Sequence, residues 1–135
     1  MTHTLDFEKH FPHPPAKVWR ALVTSEALAQ WLMPNDFEPV IGRTARFTYP
    51  RGDCGEEDGV VLVEVEALEP PTRMVWRWQN ADLGETTRVV FSLEAIGDGT
   101  RLRLSHAGIP TEQEARSLGG GWPGKLESLG HMLQN

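Results

Sequence analysis

A single cysteine, Cys54, stands in the 135 residues, so no internal disulfide can form. That fits a reducing compartment. Long apolar runs are missing too. The longest, Val60 to Val63, is far short of the roughly 20 residues that cross a bilayer. The first residues, Met1 to Glu8, hold neither a basic stretch nor an apolar one, so no signal peptide is expected. Positive charge is scarce: 13 Lys and Arg against 19 Asp and Glu give a net charge of −6. Without a basic excess nothing displaces counterions from a nucleic-acid backbone, and an anionic membrane surface is a poor partner as well. Nucleophile elbow, phosphate loop and zinc-ligand spacing are all absent. The expectation is a cytoplasmic globule, one domain over 1–135, with no metal and no cofactor.

What is present is pattern. In the stretch from Gly121 to Gln134, the apolar residues Trp122, Leu126, Leu129 and Leu133 recur at helical spacing and make one stripe. Most of the chain from residue 44 to residue 106 alternates with period two instead. A final amphipathic helix after a run of strands must bury its stripe on the sheet.

In chain order, residues 4–12 read as a half-buried strand with Leu5, Phe7 and Phe11 inward. Pro12, Pro14 and Pro15 end it, and Pro14-Pro15 suits a helix start. That helix buries Val18, Trp19 and Leu22 and stops near Thr24. Ser25 is the expected N-cap of a second short helix, with Leu28, Trp31 and Leu32 as its buried face. The stretch from Phe37 to Gly42 carries no clear signal.

Strands follow over 44–49, 60–68, 72–79, 85–95 and 100–106. Their inward sets are Ala45, Phe47 and Tyr49, then Val61, Val63, Val65 and Ala67, then Met74, Trp76 and Trp78. Val89, Phe91, Leu93 and Ala95, then Leu102, Leu104 and His106, complete the face. The polar stretch 50–59 reads as a turn, Asn80 to Gly84 turns, and Asp98-Gly99 marks a hairpin. Thr111 and Glu114 have the spacing of a capping box. Gly119-Gly120-Gly121 then allows two outcomes. One helix ends near Leu118 and another begins near Trp122, with Pro123 in its first turn, or a single helix runs through a weak turn. The class is α+β: a curved antiparallel sheet of about six strands around a long C-terminal helix, with two short helices between strands one and two.

Three stretches carry a resemblance. The first runs from Pro15 to Trp31, the second from Gly59 to Trp78. The third runs from Thr100 to Gly108 and continues in Gly121-Trp122 with the Leu126/Leu129 helix. Together they resemble the helix-grip fold of the START and Bet v 1-like superfamily (SRPBCC). Within it they are similar to the branch named after the activator of a heat-shock-protein ATPase. The resemblance implies that fold, and it implies that apolar ligands sit between sheet and helix.

Aromatics on the inner face either fill that space or line a void. In the void case Phe47, Tyr49, Met74, Trp76, Trp78, Phe91, His106 and Trp122 are the ligand-binding candidates. Tyr49 and His106 would be the polar groups, the loop 50–59 a lid, and the two short helices a border to the mouth. The bland alternative makes His106 a core histidine bonded to backbone near the final helix. His3, His10 and His13 lack an acidic or cysteine partner and read as solvated surface. Cys54 has acidic neighbours that disfavour a thiolate. Asp53, Glu56, Glu57 and Asp58 lack the alternation of a calcium loop.

The leading expectation is a non-enzymatic domain that binds a small hydrophobic ligand, as a monomer or homodimer. The resemblance implies two rivals. One is a cochaperone-like domain with a heat-shock ATPase as partner. The other is a cyclase or hydrolase using His106 and Tyr49 as acid and base.

Overall fold

The computed structural model describes residues 2–49, 59–80 and 86–134. Strand β1 (His3–Phe11) leads through helices α1 (Pro15–Val23) and α2 (Ser25–Trp31) to strand β2 (Thr44–Tyr49). Strands β3 (Gly59–Glu69), β4 (Arg73–Asn80), β5 (Thr86–Ile96) and β6 (Gly99–Ile109) follow, and helix α3 (Glu112–Leu133) ends the fold. The sheet is six-stranded, in the order β1-β6-β5-β4-β3-β2. Every neighbouring pair is antiparallel. The curved sheet, its grip on a long last helix and the two short helices between β1 and β2 are as the sequence pattern requires.

The alternation explains the strands. In β1 each second residue is half-buried, or in the case of Phe11 fully buried, and those between are exposed. One inner-face expectation is displaced. A register shift between Val65 and Ala67 sets Ala67 opposite Val75 and Leu68 opposite Met74. Leu68 therefore packs against the core in place of Ala67. The extra residue of a bulge reverses which side chains face in.

Local chemistry fixes the helix ends, with one correction. Pro15 opens α1 at its first position, where its missing N–H costs nothing. Ser25 does not cap α2. Its Oγ donates to Asn35 O at 2.9 Å, and Asn35 Nδ2 donates to Ser25 O at 3.2 Å. Ser25 is already the first residue of α2, one position past the N-cap at Thr24, so its oxygen is not placed to accept from the first-turn N–H groups. Thr111 does cap α3, accepting from Glu114 N at 3.1 Å.

Of the two outcomes open for the last helix, the second holds: α3 runs unbroken from Glu112 to Leu133 with Pro123 inside it. No restart occurs at the proline. An interior glycine costs about 1 kcal/mol and an interior proline about 3. Against this, Trp122, Leu126, Leu129 and Leu133 are all buried, each contributing about 1.5–3 kcal/mol. Packing holds the helix together through its weakest turn.

Two lysines tie the helices to one another. Lys17 Nζ donates to Leu133 O at 2.7 Å, at the C-terminal end of α3. Lys125 Nζ donates to Leu32 O at 2.8 Å, at the end of α2. A cation at a helix C-terminus satisfies an orphan carbonyl and suits the dipole. The stretch 37–43, silent in sequence, buries Phe37 and leaves Val40 and Ile41 exposed. The lid at 50–59, Cys54 and the acidic residues beside it, and the turn at 80–84 lie outside the described residues, apart from Gly59 and Asn80. Among the described residues no helix is long and apolar enough to cross a membrane.

Candidate functional site

The space between sheet and α3 is divided. Its centre is packed solid. Phe37, Phe47, Trp76, Phe91, Trp122 and Trp78 form a continuous aromatic chain with centroid separations from 4.7 to 6.4 Å. Tilted and edge-on pairs at such distances are the favoured ones. Met74 is buried with them. Trp76 has no exposure and its Nε1–H meets no acceptor. A buried donor left so costs about 1–3 kcal/mol, so the ring stays for the contacts of its faces.

His106 sits in this packed region with no exposure. Trp122 Nε1 donates to its Nδ1 at 3.0 Å. Its Nε2 lies 2.7 Å from Thr87 Oγ1, and Thr87 Oγ1 donates to Trp78 O at 3.0 Å. Indole is a donor only, so Nδ1 must accept and the proton sits on Nε2. The chain of donors is then complete: indole to imidazole, imidazole to hydroxyl, hydroxyl to carbonyl. It links α3, β6, β5 and β4. Burial pulls His106 from 6.5 down to about 4, which keeps the ring neutral. With both nitrogens committed, it has no lone pair to offer a substrate. The acid–base pairing with Tyr49 loses its base.

At one end the space opens. A cleft of about 370 Å³ lies between the first half of α3, the end of α2 and the strands β2 to β4. Leu32, Met33, Val61 and Leu118 give it apolar walls, and the rings of Trp78 and Trp122 close its base. Tyr49, Ser117 and Lys125 are its polar groups. Tyr49 stands directly opposite Gly59 in the β2–β3 register. Its ring lies over the bare glycine, where any Cβ would fall inside the ring. Gly59 thus sets the position of the aromatic rim. Larger hollows of about 420 and 480 Å³ lie on the outer sheet face. They are walled by residues of the Glu8–Arg103 and Glu66–Arg88 ion pairs and include no residue of α3, so they lie outside the space between sheet and helix.

Of the residues singled out from sequence, Tyr49, Trp78 and Trp122 come together on the cleft. Phe47, Met74, Trp76, Phe91 and His106 lie in the packed centre and do not line it. Sequence reasoning missed Met33, Ser117, Leu118 and Lys125 as lining groups, and took Leu32 and Val61 only as core. The one available signal was the glycine triplet beside Trp122. It puts a thin stretch of helix next to a large ring. His13 is half-buried, with Nδ1 3.4 Å from Lys17 Nζ, and is not the solvated residue expected. Among the described residues, no cluster of three or more His, Cys, Asp or Glu could hold a metal ion.

Comparison with known proteins agrees with this architecture. Residues 12–134 match the family model described as Activator of Hsp90 ATPase homolog 1-like protein. Protein MLL2253 from Mesorhizobium loti superposes with a TM-score of 0.81 at 32% identity, over 98% of this chain and 97% of that one. CalU16 from Micromonospora echinospora gives 0.80 at 23% identity, over 98% and 76%. The Aha1 dimer from Colwellia psychrerythraea gives 0.78 at 21%, over 97% and 96%. The last two are similar in fold alone. No curated protein sequence gives a significant match.

Proposed function

The chain belongs to the activator of Hsp90 ATPase homolog 1-like family, and from there we propose that it binds a small, mostly apolar molecule in the cleft beside α3. The observation that carries this reading is the lining itself. Apolar walls, two indole rings and a few polar groups are the composition of a small-molecule site. The volume of about 370 Å³ also falls in the range such sites occupy. Binding is non-enzymatic in this proposal, because the buried histidine has both nitrogens engaged. The ligand contacts are Tyr49, Trp78 and Trp122. The packed residues Phe47, Met74, Trp76, Phe91 and His106 act behind them as support.

Native mass spectrometry of protein purified from cells, with a denatured extract, tests the proposal. A retained apolar molecule that is lost in Leu118→Asp, with the far-ultraviolet spectrum unchanged, supports it. A clean apo mass, with no thermal shift across lipids and aromatic compounds, refutes it.

The rival reading is a protein-interaction domain acting on a heat-shock ATPase. The solid aromatic centre favours it, since a docking domain needs no hollow. Stimulation of such an ATPase by the purified chain would establish it. A homodimer is proposed by analogy with the Aha1 dimer of Colwellia psychrerythraea, and sedimentation equilibrium decides it.

A further inference from the structure

This inference rests on the binding reading and adds the chemistry of the ligand. We propose that the cleft takes an apolar acid, with one carboxylate held by Lys125 and an apolar body laid against Trp78, Trp122 and Leu118. Among the described residues that line the cleft, Lys125 carries the sole formal charge, and no carboxylate stands with it. Its ammonium donates to Leu32 O at 2.8 Å. That acceptor is neutral, so the bond aims the head without cancelling its charge. An ammonium has three N–H donors, so further donors remain for a ligand. The carbonyl tie also holds the long side chain in place, which lowers the ordering cost of binding.

Lys125 is half-buried, where a charge is less screened than in open water. A carboxylate there gains a charge-assisted hydrogen bond, stronger than one between neutral groups. A cationic ligand would be repelled, and a neutral one would leave the charge unused. A single cation in the lining suits one negative charge. A polyphosphate would need several basic groups.

The test is calorimetry on the full chain with two homologous series. One is 2-naphthylacetate, its alcohol and its amine; the other is decanoate, decanol and decylamine. In each the acid is expected to bind at least about tenfold tighter than the alcohol, the effect of one charged hydrogen bond. The amine is expected to bind most weakly. Lys125→Met should erase the preference for acid while alcohol affinity holds, and Lys125→Arg should keep it. Acid and alcohol binding alike in the wild type would overturn the head-group assignment, as would a preference that survives Lys125→Met. The cleft would then still stand as a site through its alcohol binding. No binding by any of the six compounds would overturn both readings. If Lys125→Met does not fold, the salt dependence of the wild-type acid preference decides. A preference that shrinks as salt rises supports the assignment, and one indifferent to salt overturns it.

Discussion

Acid should destabilise this protein through His106. The folded state keeps its ring neutral down to about pH 4, because burial disfavours the charged form. The unfolded chain takes up the same proton near 6.5. Between those values the unfolded state binds more protons, so lowering the pH favours unfolding. The contribution of His106 is fully present above 6.5 and is lost as the pH falls towards 4. A drop of this size corresponds to about 3 kcal/mol. Typical stability for a domain is about 5–15 kcal/mol, so the loss is a large share of the whole.

Protonation carries a second penalty of geometry. An imidazolium would point Nδ1–H at the indole N–H of Trp122, donor against donor. The assay is urea unfolding at a series of pH values, comparing wild type with His106→Asn. Asparagine offers Trp122 an acceptor and does not titrate. The free-energy difference between the two proteins should change by about 3 kcal/mol from about pH 7 to about pH 4. A difference that stays flat across that range would refute the reasoning.

Three further outcomes are expected. Trp122→Phe removes the donor to Nδ1 and leaves a buried acceptor unpaired. It should destabilise by about 1–3 kcal/mol and move the His106 titration, followed by nuclear magnetic resonance, back towards its ordinary value. Gly59→Ala drives a methyl into the Tyr49 ring. It should lower stability by about 1–3 kcal/mol in denaturant titrations, and unchanged stability would show that the ring moves aside freely. Lys17→Met unties Leu133 O. It should cost about 1 kcal/mol and speed amide exchange in the last turn of α3 while leaving the sheet unaffected.

Most of the fold was legible because it is built from local periodicity. Phe47 and Tyr49, or Met74, Trp76 and Trp78, show their face by alternation alone, and the short helices show theirs through Val18, Trp19, Leu22, Leu28 and Trp31. The displaced face at Ala67 was not legible. A bulge adds a residue to one strand through pairing with its neighbour, and period-two counting assumes that none is added. The long helix through Gly119 and Pro123 was left open for a similar reason, since local propensity argues against it and distant packing decides. The site was the least legible part. Whether aromatics fill or line a space depends on how Phe37 closes over Phe47 and Trp76, and Phe37 lies in a stretch with no period. The cleft itself is assembled from the ends of elements far apart in the chain. Lys125 reads locally as a solvated helix residue until α2 is placed beside it.

The unbroken helix has a consequence for whatever the cleft holds. Ser117, Leu118 and Gly121 wall the cleft, and they belong to the turn where three glycines precede a proline that offers Gly119 O no N–H. The backbone that lines the cleft is therefore weakly held by local propensity, although the helix on both sides of it is anchored. Occupancy and helical order become one equilibrium there. A bound molecule would raise the free energy needed to open that turn. By reciprocity, anything that stiffens the turn from outside would tighten binding without touching the ligand. Gly120 has open space where its Cβ would be, so Gly120→Ala is such a remote lever: a change on the far side of the helix that is felt as affinity.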